Sequence, residues 1–329
     1  MRRIGQATTE TEQFVEDGIG RLPNLGAKAT AYEVVTSPAA SPIRRAVDAT
    51  GARVASAQGD EWFVKVYHPD ALSLQDLEPV VDASTIAGEL GVAPALVDAD
   101  PEAGVLAFEL LGEGWRWGRL DDLNTPQAMQ AQMDLRRRIH AGPAFHRQRD
   151  VLEEIRYYAE RARRSGVPLP PDMGWLLGGI EDVAPDLREV GERPVPAHGD
   201  GACSNVMVHD SGDLRLVDFD VAGNTDSVHD LAAMLVELCP FKEDVQEGVK
   251  AWVGHNDFAL FSKCMLYGIA DDLRWGLWGL VLFHESPRQD VEFFKYGQWR
   301  LLRARMNIQD RDFELWCRSC GKSAIRGQE

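Results

Sequence analysis

Two short segments carry the residues best suited to chemistry: HGDGACSNVMV, His198 to Val208, and LRLVDFD, Leu214 to Asp220. Two carboxylates and a carboxamide here flank a strand-like hairpin. Phosphoryl transfer asks a protein for little covalent chemistry. The protein must position the acceptor hydroxyl, hold a metal ion against the phosphates and neutralise charge as it spreads. An aspartate on a rigid loop can accept the hydroxyl proton, an asparagine five positions later can offer Mg2+ a neutral oxygen, and an aspartate at a strand end can supply a hard anionic ligand. Asp200, Asn205 and Asp218 match those demands in that order.

Two other places stand out. Lys65 sits in the apolar strand FVKVY, where an unpaired ammonium is costly to bury and calls for an anion. The plainer alternative is an edge lysine whose stem lies on apolar surface while its head reaches water. Further on, Asp271, Trp275 and Trp278 in DDLRWGLWGLVLF fall at i, i+4 and i+7, so a helix places an acid and two indoles on one face. Aromatic faces attract cations, by about 0.5–1 kcal/mol when exposed and about 2 or more when desolvated. The same spacing also describes a stripe packed in a core.

The elements that must position these groups differ between the two ends of the chain. Residues 31–36, 52–57, 61–67 and 105–110 are short, rich in valine, phenylalanine and tyrosine, and separated by Gly, Pro and Asp turns, which predicts an antiparallel sheet. One helix, Leu72 to Leu90, interrupts it, with Gly91 and Pro94 as stop signals. Beyond Leu111 to Trp117, helical periodicity dominates: Pro126 to Ile139, Leu152 to Arg164 and Met173 to Val190. The expectation is an α+β chain divided near residue 112, with a β-rich part over 1–112 and a mainly helical part over 113–329. The run Arg136, Arg137, Arg138 on one helix could hold phosphate or could be a solvated face.

With 44% hydrophobic and 26% charged residues, the 329-residue chain can bury a core, which excludes general disorder. Its longest apolar runs fall short of the roughly 18–20 residues needed to span a bilayer. The polar, acidic opening has no apolar signal segment, so a cytoplasmic location is expected. A net charge of −17 repels phosphate backbones, which argues against nucleic acid as a partner and suits a small cation. Five cysteines are odd in number, and the Cys317/Cys320 pair has no second pair to complete a zinc site.

Taken together, these motifs resemble the aminoglycoside phosphotransferase and choline kinase superfamily, which shares the two-lobed fold of protein kinases. The resemblance rests on His198, Asp200 and Asn205 as the catalytic loop and on Asp218, Phe219, Asp220 as the metal motif. It implies that Asp200 is the catalytic base, that Asn205 and Asp218 bind magnesium, with Asp220 a further candidate, and that Asp230 supports the loop from behind while capping its helix. It also implies that Lys65 reaches the ATP phosphates and pairs with Glu78 or Asp82, and that Glu109 to Leu111 meets adenine. The phosphate-covering loop would be GAKATAY, Gly26 to Tyr32, although a single glycine fits a plain hairpin equally well.

Choline kinases carry WGLW, a Glu-Phe pair and then Tyr-x-Gln-x-Arg. Here these stand as Trp275 to Trp278, Glu292, Phe293, and Tyr296, Gln298, Arg300, with Glu292 and Tyr296 two residues closer than in the eukaryotic pattern. The resemblance thus implies a cage of Trp275, Trp278 and Tyr296 around a trimethylammonium, with Glu292 and Asp271 nearby. The expected activity is ATP- and Mg2+-dependent phosphorylation of choline. The alternatives are ethanolamine, an aminoglycoside or another amino alcohol, or a nucleotide-binding pseudokinase that regulates a partner.

Overall fold

A computed structural model describes residues 1–40, 44–189 and 193–320. In the first part, β1 (Arg2–Arg3), α1 (Glu10–Ile19), β2 (Ala29–Val34), β3 (Ala49–Ser56), β4 (Glu61–Tyr67), α2 (Pro69–Leu72), α3 (Glu78–Glu89), β5 (Leu96–Asp100) and β6 (Val105–Glu109) form an antiparallel sheet of order β1-β2-β3-β4-β6-β5. The two-residue period of β4 divides its side chains between the faces. Val64 and Val66 pack with Val15 and Ile19 of α1, while Tyr67 packs with Leu77 and Val80 around α3. Lys65 therefore projects from the same face as Tyr67.

The second part contains β7 (Trp115–Trp117), α4 (Leu120–Leu123), α5 (Pro126–His140), α6 (Val151–Ser165), α7 (Met173–Glu181), α8 (Ala184–Glu189), β8 (Val195–Ala197), β9 (Val206–His209), β10 (Leu214–Leu216), β11 (Gly223–Thr225), α9 (Ser227–Leu238), α10 (Lys242–Val253), α11 (Phe258–Glu285), α12 (Phe293–Ile308) and α13 (Phe313–Ser319). Strands β10, β9 and β7 form one small sheet, and β11 pairs with β8. Helix α11 is the axis of this part, buried continuously from Phe261 to Leu282 and packed on α6, α9, α12 and α13. Although 28 residues long, it carries Lys263, Asp271, Asp272 and Arg274, and no helix among the described residues is long and apolar enough to cross a membrane.

Of the expected helix Leu72 to Leu90, only α3 forms as such: α2 ends at Leu72, and residues 73–77 separate the two. Pro79 lies at the start of α3, and the Asp76 carboxylate accepts the Glu78 N–H at 3.0 Å, so the helix begins anew there. The expected helix from Met173 likewise breaks between α7 and α8, and its last residue, Val190, lies outside the described residues. Strands β1 and β5 and helix α1 went unread. In β5, the sequence LVDAD has too few apolar residues to signal a strand, yet Asp98 is buried and accepts from the backbone of Asn24 (2.8 Å) and Leu25 (2.8 Å).

Candidate active site

The loop between β8 and β9 is shaped by close approach. Gly199 has φ +72°, and a Cβ there would run into the Arg149 guanidinium; a Cβ on Gly201 would run into the Ala233 carbonyl. Side chains hold the same loop from behind. Asp230, fully buried in α9, accepts the Gly199 N–H at 2.7 Å and pairs with His140 at 2.9 Å and Arg136 at 3.7 Å. Burial opposes its charge, but Arg136 and His140 outweigh that and hold its carboxyl well below the usual range. Asp230 supports the loop but does not cap its helix; the cap is Asp226, which accepts the Val228 N–H at 2.9 Å. The arginine run is not a uniformly solvated face either: Arg136 is buried, and Arg137 stacks 4.3 Å from Trp252.

His198 is fully buried, with Nε2 2.9 Å from the Val217 carbonyl and its ring edge-on to Phe219 at 4.7 Å. Burial and then Arg136 lower its pKa to about 4, so it ties the loop to the following hairpin as a neutral ring. The N–H of Val217 donates to the Asn205 carbonyl at 2.9 Å, which brings Asn205 beside Asp218. Asp218 has φ +68°, a left-handed conformation that costs a non-glycine residue energy and persists only where its surroundings impose it.

Lys65 closes the constellation from the first part. Its Nζ lies 2.6 Å from Asp218 Oδ1 and 2.9 Å from Asp220 Oδ1, and Tyr67 donates to Asp220 Oδ1 at 2.6 Å. Burial disfavours its ammonium, but Asp218 and Asp220 outweigh that and raise its pKa well above the ordinary value. Burial also opposes ionisation of Asp218, yet Lys65 and Arg44 keep it ionised, whereas burial and the neighbouring Asp218 push Asp220 up to about 7. The expected partners on α3 are not used: Glu78 is exposed and Asp82 accepts the His146 N–H at 2.8 Å. The buried positions of α3 are Val80, Ala83, Ser84 and Ala87, so that face offers no carboxylate.

The donor set suits a hard cation. Asp218, Asp220 and Asn205 offer oxygen ligands, Asp220 Oδ2 and Asn205 Nδ2 are buried without hydrogen-bond partners, and an amide turned over would present oxygen at the second position. Glu109 ends β6 with its N–H on the Ala95 carbonyl at 2.8 Å, and half-buried Leu111 follows before β7. Gly26 to Tyr32 is not the loop above these carboxylates. It enters β2 beside Ser56, whereas Lys65 pairs with Gly51 toward the other end of β3; the whole strand from Ala49 to Ser56 spans roughly 23 Å. The residues that reach the carboxylates lie just ahead of β3 and include Arg44, which pairs with Asp48 at 3.2 Å and with Asp200.

Trp275, Trp278 and Tyr296 meet as three buried rings, with centroids 5.2, 6.5 and 5.9 Å apart and near-perpendicular planes. Glycines make this possible. A Cβ on Gly279 would lie 2.8 Å from Gly297 Cα, and one on Gly297 would lie 2.9 Å from the Gly276 carbonyl, so α12 packs backbone to backbone on α11 and swings Tyr296 onto the indoles. Asp271 lies one turn away and pairs with Arg300 at 2.5 Å. Glu292 does not join the cluster: it stands before α12, largely exposed, 3.2 Å from Lys295.

A cleft of about 400 Å³ runs from Asp220 past Arg44 to Trp275 and Trp278. Sequence reasoning missed Arg44, and nothing local distinguishes it from Arg45. It also missed the glycine seam, whose signal was the repeated Gly in WGLWG and YGQW.

This is a two-lobed, protein-kinase-like α+β fold, with the site between an antiparallel sheet and a helical body. The model of the phosphotransferase enzyme family matches residues 40–260. The chain belongs to that family. No curated protein sequence matches it. Among solved structures, it is similar to a choline/ethanolamine kinase family protein from Mesorhizobium loti, with a TM-score of 0.77 and 19% identity over 94% of this chain and 99% of that one. The choline kinase LicA from Streptococcus pneumoniae gives a TM-score of 0.70 and 16% identity over 91% and 99%. A spectinomycin phosphotransferase in complex with ADP and spectinomycin gives 0.58 and 12% over 90% and 98%. The protein is a phosphotransferase by family.

Proposed function

We propose that the protein transfers the γ-phosphoryl group of ATP to the hydroxyl of a small cationic amino alcohol, choline first, in the cytoplasm. Asp200 accepts the hydroxyl proton, with its backbone held by the Asp230 scaffold and its Oδ1 receiving the Ala202 N–H at 3.0 Å. Asp218, Asn205 and Asp220 would hold Mg2+, which supplies charge neutralisation at the phosphates when bound. Lys65 steadies the nucleotide phosphates once released from its carboxylates, and the backbone from Glu109 to Leu111 meets the base.

The observation that carries the acceptor class is Arg44. Its guanidinium carbon lies 4.0 Å from the Trp275 ring centre and 5.8 Å from that of Trp278, while its nitrogens pair with Asp200 and Asp48. A cation is thus at home on the indoles beside the candidate base. The carboxylates around Arg44 also favour a second reading, a primary amine such as ethanolamine or an aminoglycoside, because an ammonium with N–H donors needs acceptors that a trimethylammonium does not. Assaying choline, ethanolamine and spectinomycin as acceptors, by ATP consumption with Mg2+, separates the two. The highest kcat/KM is expected for choline; a higher value for a primary amine would transfer the assignment, and no turnover with any cationic alcohol would overturn both.

A further inference from the structure

The feature that phosphoryl transfer leaves unexplained is the same Arg44. An acceptor needs two things from this cleft: an aromatic face for its cation and the Asp200 carboxylate for its hydroxyl proton. Arg44 engages both. Trp275 has little else to offer, because Arg274, fixed by Glu154 at 2.9 Å, lies 3.7 Å from the same ring centre. Arg44 and Arg274 thus both lie against the Trp275 indole, and both line the cleft that reaches Asp220. Asp200, at 5% exposed, has its Oδ2 paired with Arg44.

Arg44 is held in place from the helical part but does not fit perfectly. Ser204 Oγ donates to the Arg44 carbonyl at 2.6 Å, and Arg288 donates to the Val47 carbonyl at 2.6 Å. Between them Ala46 has φ +50°, a conformation an alanine keeps only where its neighbours impose it. The guanidinium itself leaves Nε buried without a hydrogen-bond partner. A group so anchored by its backbone, yet incompletely satisfied at its head, can withdraw its side chain while its loop stays in place.

We propose that Arg44 is an internal occupant of the acceptor's cation subsite, a specificity-determining residue whose guanidinium an acceptor must displace from Trp275 and Asp200. This rests on reading the aromatic cluster as the acceptor site. It also means that the enzyme discriminates by competition: a cation binds only if it outdoes a guanidinium on an indole face, which favours a compact, methyl-wrapped cation that loses little hydration on entry.

The test compares the parent enzyme with Arg44→Gln and Arg44→Lys. Isothermal titration with tetramethylammonium chloride, a cation without a hydroxyl, should show binding to Arg44→Gln tighter by roughly tenfold, as removal of one desolvated cation–π competitor implies. Arg44→Lys should lie between Arg44→Gln and the parent. In turnover, KM for the amino alcohol should fall in Arg44→Gln. Unchanged or weaker tetramethylammonium binding would overturn the proposal; a collapse of kcat at constant KM would overturn it too and make Arg44 part of the transfer machinery. If tetramethylammonium binding tightens while no amino alcohol is phosphorylated, the occupancy stands and the proposed acceptor falls. If choline is a substrate but Arg44→Gln leaves KM and binding unmoved, the acceptor stands and the occupancy falls.

Discussion

The two ends of the cleft reach a fixed geometry by opposite means. At the carboxylate end, the side chains ride on short loops, and precision comes from backbone forced into place: Gly199 and Asp218 in the left-handed region, and Asp230 clamping the loop from behind. At the aromatic end, all three rings stand on regular helices, and precision comes from how closely α11 and α12 approach at Gly276, Gly279 and Gly297. The first is a local device, buried charge holding strained backbone; the second is a packing device, in which absent side chains let two helices touch. The difference teaches where each end is vulnerable. Loss of a charge should damage the carboxylate end in turnover, whereas changes at the aromatic end should register in acceptor binding.

The largest effect belongs to the carboxylate end. Asp200→Asn keeps the shape but cannot accept a proton, so kcat should fall by about 10²–10⁴-fold with ATP affinity retained; steady-state rates within threefold of the parent would remove Asp200 from that role. Next, the scaffold of that end should be sensitive to acid. His198 is held neutral, its pKa lowered from 6.5 to about 4, so its contribution to stability is complete above about pH 6.5 and is lost as pH falls toward 4. That amounts to on the order of 3 kcal/mol. Urea denaturation across this range should give a shallower acid slope for His198→Gln; parallel slopes would mean that another group carries the effect.

A smaller effect separates the two metal candidates. Asp218→Asn should weaken both magnesium dependence and turnover, by about 10–100-fold, and Asp220→Asn by less; a magnesium titration with the reverse ranking would exchange their assignments. The smallest effect lies at the aromatic end. Trp275→Ala and Trp278→Ala should each raise KM for choline while leaving KM for ATP nearly unmoved, consistent with about 1–2 kcal/mol of lost contact. If both variants left choline kinetics unchanged, the rings would be core packing and the contrast between the two ends would collapse.

The sequence by itself determined what its neighbouring residues could enforce. The spacing from His198 to Asp220 was legible because those residues act within one loop and one hairpin, and the strands and helices around them announced themselves through periods of two and 3.6. What only the tertiary structure decided involves partners far apart in the chain. Lys65 finds Asp218 and Asp220, more than 150 positions away, because strand alternation turns it toward the helical part and the buried face of α3 carries no acid. Glu292 leaves the aromatic cluster because it precedes α12 and faces solvent, while Asp271 is drawn to Arg300. Arg44 reaches Asp200 across the cleft because residues 44–48, ahead of β3, are held to the helical part through Ser204 and Arg288. Periodicity assigns a side chain to a face, but the group opposite that face is set by how separate elements pack.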